Sequence, residues 1–574
     1  LDDQSGALNA SEPSETITLS YEAGSEPAAA SFKAYFNVPA ATYGKLSVVI
    51  TTEGHTASFD LTDGIELLAG ELAYTTKAVS GWTALEPELS VTWETNPTFE
   101  PVEITNDMKG KCNIVINAPA GIKAFTVSML SDYLNNDIGL TELDLLNPQG
   151  LETIFDMLNF PYGEKILNQK TVPFDLTNAV ALLEGKSGQH IFTMNVTDNN
   201  NKTINQDITF FVPEAISATV SDIDLWKNTA TITLNNAPEG ATVQYKRSTE
   251  SEWKNTTKNP NGTFSITPSW ITEENDAGKT VYSLDNNCGV FAGATYDWQI
   301  LNGEAVVASG TFETSAGDPI ENGDMSQWCE TKEMLPLFGS KKITVWYPGS
   351  SWSDSTPGFW DSSNNAGNKT ACTQDKTKNA SCAWLQASGV SLVGALASGS
   401  LFTGTFTYAN MNGTASFGQK YKYTARPTAL RLKYHATLGT VNYNKHNGPL
   451  EKDKDIMDQC SFTVCIVDWD TRHDVQSGTS APKGIWDPIT MGELPVDKQN
   501  GIIGYGVKYS SENTPGTDLI PLEIPIKYYQ QTNAAPDGEN KFTIIISVST
   551  SRYGDYLNGC DKNKIYVDDF EWVY

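Results

Sequence analysis

The sequence predicts an all-β chain: tandem immunoglobulin-like β-sandwich modules followed by a C-terminal β-jelly-roll. Three observations predict it. Most segments are short alternating runs rich in Thr, Val, Ile, Tyr and Phe, separated by Gly, Asn, Asp and Pro, which is the pattern of strands and turns. The N-terminal half repeats a strand–turn–strand signature. At 574 residues the chain exceeds what one core can organise, so about three to five domains are expected.

Residues 1–15 are polar and small and are expected to form a flexible tether. A first module is placed at 16–98, where NVPA (37–40) leads into KLSVVI, FDLT (59–62) and Leu67-Leu68. A second, at 99–213, repeats that order as NAPAG (117–121), FTVSML, FDLT (174–177) and Leu182-Leu183. The third copy opens NNAPEG (235–240) and runs into ATVQYK without FDLT. Inside the second module Leu151, Ile154, Phe155 and Leu158 fall at i, i+3, i+4 and i+7. That spacing predicts one amphipathic helix lidding the end of a sandwich. The third module, 214–315, resembles a fibronectin type III domain in WKNTATITL (226–234), ATVQYKRSTESEW (241–253) and the hairpin at 294–315. The resemblance makes Trp226, Trp253 and Trp298 packing residues without a functional role.

Lys and Arg number 39 against 69 Asp and Glu, a formal charge of −30. That balance repels phosphate backbones and anionic lipid heads, which argues against nucleic acid or electrostatic membrane binding. Residues 316–574 hold 23 basic and 28 acidic side chains, net −5, and eight of the fourteen Trp; the first 315 residues therefore carry −25. A solvated stalk ahead of a head suited to neutral ligands is expected. The five His (55, 190, 435, 446, 473) form no HExxH and none of the eight Cys has CxxC spacing, so a zinc enzyme is not expected. Free buried thiols are expected, with Cys372/Cys382 and Cys460/Cys465 as the pairs an oxidising compartment would allow. No apolar run approaches the roughly 20 residues of a membrane helix. The chain opens LDDQSG without Met or an apolar leader, so a mature or trimmed form is expected.

Residues 316–574 form one block. In TALRLKYHA, Ala429, Arg431, Lys433 and His435 alternate with Leu430, Leu432 and Tyr434, giving one polar and one buried face. In SFTVCIVDWD, Phe462, Val464, Ile466 and Asp468 share one face and Thr463, Cys465, Val467 and Trp469 the other, so this strand is central and covered on both sides. PLEIPIKYY carries Pro521 and Pro525, which cannot donate to a ladder, so it is an edge strand.

The block opens IENGDMSQW and closes NKIYVDDFEWVY, as carbohydrate-binding jelly rolls do. Over PGFWDSSNNAGN (357–368), YTARPTALRLKYHA (423–436), VCIVDWDT (464–471), LIPLEIPIKY (519–528) and IIISVSTSRYGDYLNG (544–559) it is more closely similar to a named family. That family is the putative carbohydrate metabolism domain, common in surface lipoproteins of Bacteroides-like bacteria. The resemblance implies a two-sheet jelly roll and a role near glycans, with no proven reaction. It also implies a secreted, outer-membrane surface lipoprotein, a monomer held to the membrane only through an N-terminal lipid. Jelly rolls of this kind often hold structural Ca²⁺ near their first and last strands, and Glu321, Asp324 and Asp568 are the matching positions, with Asp569 on the opposite face.

Sugar contact needs aromatic faces for the C–H side of a ring and planar polar groups for its hydroxyls. Trp346, Tyr347, Trp352 and Trp360 fall within fifteen positions, among Gly, Ser, Asp354 and Asp361. One or two of the four are expected to meet a ligand, Trp360 with Asp361 first, against the alternative of a core plug under a loop. In SRYGDY (551–556), Gly554 is expected to permit a sharp turn between Tyr553 and Asp555. Arg426, before Pro427, is either a fork to a carboxylate or a ligand contact. The ligand-binding expectation is thus Trp352, Trp360, Asp361, Arg426, Tyr553 and Asp555. Glycoside cleavage would need two carboxyls about 5–5.5 Å or about 6.5–9.5 Å apart. Asp361, Asp468, Asp470, Asp474, Asp487, Glu493 and Asp555 are all candidates, and no signature selects among them. The sequence favours a head that binds a neutral polysaccharide or oligosaccharide without cleaving it. A glycoside hydrolase, and an adhesin or assembly scaffold, are the alternatives.

Overall fold

The structure is a computed structural model. It describes residues 41–574 except 53, 71–77, 93–98, 105–111, 286, 335–342, 354–355, 367–370, 376–380 and 391–393. The expected tether (1–15), the first NVPA (37–40) and Asp354 lie outside the described residues. The chain divides into two compact units, 1–215 and 216–574, and its described elements are overwhelmingly strands.

In the first unit, the strand Glu88–Thr92 pairs with Asn113–Asn117, which pairs with Thr171–Asp175. Around this sheet and the five-stranded sheet that contains Ile122–Leu130 and Gly188–Asp198 lies a single core. The strand ahead of residue 98 thus belongs with the strands after it, because Leu89 and Val91 alternate into that core. The helix Glu152–Leu158 turns Leu151, Phe155 and Leu158 inward, with Phe155 fully buried, while Ile154 stays on the exposed side. The repeated turn is real: Gly121 and Gly240 both sit at φ +84°, a left-handed conformation that favours glycine, each leading into a strand. The two FDLT copies diverge. The first lies within the strand His55–Leu67, and the second ends a strand and enters the helix Thr177–Ala181.

In the second unit, residues 217–313 build two four-stranded sheets, the sandwich expected of the third module. Two departures tie this sandwich to the block that follows. Its hairpin Trp270–Glu274/Thr280–Leu284 joins the ten-stranded sheet of the block through Tyr282 opposite Tyr528. Trp226, expected in the module's own core, packs instead into the large core of the block, its ring 5.5 Å from Tyr423.

The block is a two-sheet sandwich. The ten-stranded sheet runs through Ile502–Ser510, Cys460–Trp469, Phe542–Ser549, Ser400–Ala409, Asn412–Phe417 and His473–Gly478. The five-stranded sheet has Cys382–Gln386, Lys564–Val573 and Ala429–Thr437 at its middle and Ile520–Pro525 at its edge, where the two prolines require it. Phe462, Val464 and Ile466 meet Leu430, Leu432, Ile565 and Val567 in the core between them. Arg431 and Lys433 face out and pair with Glu523, Glu571 and Asp569; His435, expected beside them, is 7% exposed. Every Cys is free. Cys460 and Cys465 share one strand five residues apart, so they point to opposite faces and cannot meet.

Arg426 fastens the sandwich of residues 217–313 to the block. It is fully buried, and its partners are carbonyls instead of the expected carboxylate. Nε donates to Trp226 O at 2.7 Å, and the terminal nitrogens donate to Gln530 O, Asn533 O and Asn533 Oδ1 at 3.2–3.4 Å. Three aromatic rings, Trp226, Trp270 and Tyr528, lie 4.6–5.3 Å from the guanidinium carbon. Replacing Arg426 with Ala strands those carbonyls in the core. We expect it to cost this unit about 3–5 kcal/mol, read as a lower urea midpoint of the full-length chain by Trp fluorescence. A loss below about 1 kcal/mol would contradict the fastening role.

Candidate functional site

Of the four aromatic residues expected to meet a ligand, Tyr347, Trp352 and Trp360 are packed in the interior, and Trp346 is half-buried. Trp360 is 0% exposed; its ring lies 5.6 Å from Phe359 and 5.1 Å from Phe570, and its Nε1 donates to Glu321 O at 2.7 Å. With no exposed surface it offers no face to a sugar. Asp361 is equally buried: Oδ1 accepts from Ser362 N at 2.7 Å and Oδ2 from Phe406 N at 2.8 Å. Trp352 is 7% exposed and stacks on Tyr347 at 3.9 Å. Arg426 lies in the core described above.

The block does carry a cleft, of about 570 Å³, on the outer face of the ten-stranded sheet. Its origin lies in a change of side-chain chemistry along one strand face. On Cys460–Trp469, the residues pointing away from the second sheet begin as Ser461 and Thr463 and continue as Cys465, Val467 and Trp469. The apolar end is covered by the 485–494 loop, whose Met491 and Leu494 pack against Cys465, Val467 and Trp469. Left uncovered, the hydroxyl end becomes the cleft floor. Register aligns it: Ser461, Ser549 and Ser400 stand opposite one another across three strands, and Thr463 faces Ser547 in the next row. Neighbouring strands are about 4.8 Å apart, so these hydroxyls form a ladder across the floor. Half-buried rings make the walls: Phe406, Tyr408, Trp486, Tyr509, Tyr553 and Tyr556.

Of the expected ligand residues, only Tyr553 and Asp555 line this cleft. They sit on the short 3₁₀ turn Gly554–Tyr556. The turn is anchored from below by Asp458, a fully buried carboxylate that accepts from Ser551 Oγ, Cys560 N and Asn563 Nδ2 at 2.7–2.8 Å. From the side, Ser477 Oγ donates to Asp555 O at 2.6 Å. Gly554 is required by close approach instead of by a sharp bend: a Cβ there would stand 2.9 Å from Ser398 Cβ, and the left-handed residue is Leu557, at φ +52°. The Arg552 guanidinium carbon sits over Tyr509, 3.6 Å from its ring centroid, and Nη1 donates to Gln459 Oε1.

The fold sorts the seven candidate carboxylates. Asp361 is core. Asp468 and Asp470 pair with Lys541, and Asp474 accepts from Ser416 Oγ. Asp487, Glu493 and Asp555 line the cleft. Both Asp487 oxygens hold its own turn, through Ile489 N, Thr490 N and Thr490 Oγ1. One Glu493 oxygen takes Gly484 N–H. The Asp555 carboxyl makes no hydrogen bond or ion pair among the described residues, and burial alone pushes its pKa up to about 6.

The three expected Ca²⁺ positions separate by role. Glu321 is exposed and lends only its carbonyl, to Trp360. Asp324 holds Ser326 N and Oγ. Asp568 is 5% exposed and its carboxyl is pushed up to about 6, by burial first and then by Asp569 and Asp324. A bulge in the Lys564–Val573 strand, with Asp569 at φ +52°, interrupts the expected strict alternation. Among the described residues no group of three or more His, Cys, Asp or Glu is placed to hold a metal.

Sequence reasoning passed over the cleft floor. Its signal was the run of Ser547, Ser549 and Ser551 alternating with Ile546 and Val548, matched by Ser461 and Thr463 in the earlier run SFTVCIVDWD.

Residues 312–573 match the model of the family described as the putative carbohydrate metabolism domain. A search of curated proteins finds no match. Among solved structures, the chain overlaps a putative glycoside hydrolase from Bacteroides thetaiotaomicron at 14% identity, covering 59% of this chain and 98% of that one, with a TM-score of 0.28. A second putative glycoside hydrolase, from Bacteroides vulgatus, overlaps at 15% identity, 43% and 97% coverage and a TM-score of 0.28. A Bacteroides ovatus protein of a mixed-linkage glucan utilization locus, in complex with a mixed-linkage heptasaccharide, overlaps at 7% identity, 78% and 94% coverage and a TM-score of 0.12. At such scores these likenesses carry no argument about function.

The raised Asp568 carboxyl has a stability signature. Its ionisation opposes folding, so the stability it contributes is complete below pH about 4 and is lost as pH rises through about 6. In calcium-free buffer, Asp568→Asn should therefore leave the thermal midpoint unchanged at pH 4 and raise it at pH 8, by at most about 3 kcal/mol in free energy. A midpoint that falls at pH 8 would show that the carboxylate is held by a favourable partner.

Proposed function

We propose that the cleft on the ten-stranded sheet binds a neutral glycan. The observation that carries this is the aligned hydroxyl floor, Ser400, Ser461, Thr463, Ser547 and Ser549, set between half-buried aromatic walls. A pyranose presents hydroxyls at its rim and C–H bonds on its faces, and such a floor and walls meet both. The volume, about 570 Å³, suits a short oligosaccharide stretch and lies within the roughly 300–1,000 Å³ of small-ligand pockets. Lys445 and Arg552 stand against Asp487, Glu493 and Asp555, so the cleft carries no excess positive charge to favour an acidic polymer. The match of residues 312–573 to a carbohydrate-related family agrees with this ligand class.

The glycan site moves with this proposal from Trp360–Asp361 to Tyr408, Tyr553 and Asp555. Affinity electrophoresis of the full-length chain in gels of neutral polysaccharides, with polygalacturonate as the anionic comparator, should show retardation by at least one neutral polymer. Tyr408→Ala and Tyr553→Ala should each weaken that binding by roughly tenfold, about 1.4 kcal/mol, and Trp360→Phe should leave it unchanged. Failure across a broad neutral panel would sink the proposal. We further propose display at a cell surface, with the residues ahead of 216 as a solvated spacer; release of the chain from intact cells by added protease is the check, and full protection would refute it.

A further inference from the structure

Resting on the glycan reading of the cleft, we infer that Asp555 is the proton donor of a glycoside-cleaving site, delivering its proton to the bridging oxygen of a bound sugar chain. Three features of geometry single it out. It is presented into the cleft by a turn fixed at both ends, through Asp458 to Ser551 and through Ser477 to its own carbonyl. It stands between two half-buried tyrosines, Tyr553 and Tyr556, where a bound chain would exclude water. Its carboxyl oxygens take no hydrogen bond or ion pair among the described residues, whereas both Asp487 oxygens close a turn. A carboxyl whose pKa is lifted to about 6 by burial is still substantially protonated in mildly acidic to neutral solution, as a general acid must be.

The step balances as a hydrolysis. The Asp555 O–H bond breaks and its proton joins the glycosidic oxygen. The bond from that oxygen to the anomeric carbon breaks, with the electron pair leaving on the oxygen. A water molecule adds to the anomeric carbon and gives up its proton to Glu493, which has one carboxylate oxygen left after binding Gly484 N–H. Asp555 regains a proton, and Glu493 loses one, by exchange with solvent. One water is consumed and one new reducing end appears.

Other charged and titratable groups face the same space: Lys445 from the 443–449 segment, Arg552, Tyr553 and Tyr556 from the turn itself, Tyr408 and Tyr509 from their strands, and Asp487 and Glu493 from the covering loop. The pH test is therefore a comparison of variants. The full-length chain is incubated with each neutral polysaccharide that retards it in the gel, and new reducing ends are measured from pH 4 to 8. The expected result is release by the wild type that declines as pH rises above about 6. Asp555→Asn should lower it by about 10²–10⁴-fold, far more than it changes gel retardation, and should keep more activity on aryl glycosides whose leaving groups need no proton. Retardation without release by the wild type at any pH overturns the proton-donor assignment and leaves the binding site standing. Release undiminished in Asp555→Asn also overturns it. An absence of retardation and release alike overturns the binding reading, and this inference with it.

Discussion

The second unit depends on a buried cation that makes no hydrogen bond to a carboxylate among the described residues. Taking a guanidinium out of water costs several kcal/mol unless every donor is satisfied. Around Arg426 the satisfaction comes from backbone carbonyls on two segments far apart in sequence, at Trp226 and at 530–533, with aromatic faces filling the remaining shell. Burial lowers its pKa, and Tyr528 and Asp224 act in the opposite sense. A planar, delocalised ion tolerates this environment because its weak hydration makes the transfer less costly and its flat faces stack on rings. A lysine would present one strongly hydrated point charge to partners spread over a plane. The cage closes only when the sandwich of residues 217–313 is in place, since Trp226 and Trp270 belong to it. The same contact holds Trp270 at the start of the hairpin that extends the cleft sheet, so the sheet's outer end and the module are set together.

A second buried cation shapes the cleft itself. Lys498, 9% exposed, donates to the carbonyls of Thr471 and Arg472 and to Thr471 Oγ1, while Trp469 Nε1 donates to its carbonyl. These bonds clamp the segment after the 485–494 loop onto the far end of the central strand. Covering that end buries Cys465, Val467 and Trp469, and stopping there leaves Ser461 and Thr463 open. The cleft is thus a consequence of how far one loop reaches along a sheet whose exposed residues change from apolar to hydroxyl at the same point.

Much of the fold was legible because strand alternation and proline chemistry act locally. The central position of the 460–469 strand and the edge position of 520–525 both follow from side chains within each strand. The roles of Trp360, Asp361 and Arg426 were not legible, because each is decided by partners between about 40 and 210 residues away: Glu321 and Phe570 for Trp360, Phe406 for Asp361, Trp226 and Asn533 for Arg426. A Trp in a polar loop has the same local signature whether it meets a sugar or plugs a core. The position of the 551–556 turn at a sandwich end was readable; what distinguishes Asp555 from six other acids was not, since it lies in bonds the others make.

That distinction can be put physically by comparing Asp458 with Asp555. Both carboxyls are raised by burial, and they sit a few residues apart in space through Ser551. Asp458 is surrounded by donors, two side chains and two backbone amides, each of which favours its charged form and opposes the rise. Donors of that kind fix a carboxylate in place, and protonation would break them. Such an acid is a strut. Asp555 has the burial without donors among the described residues, so none of these holds it charged and no bond to them is lost when it gives or takes a proton. A desolvated carboxyl left without donors costs stability in a folded chain above its pKa. An arrangement that spends two well-made anchors, Asp458 and Ser477, on presenting such a group to an open cleft is the arrangement expected of a group whose partner arrives from outside.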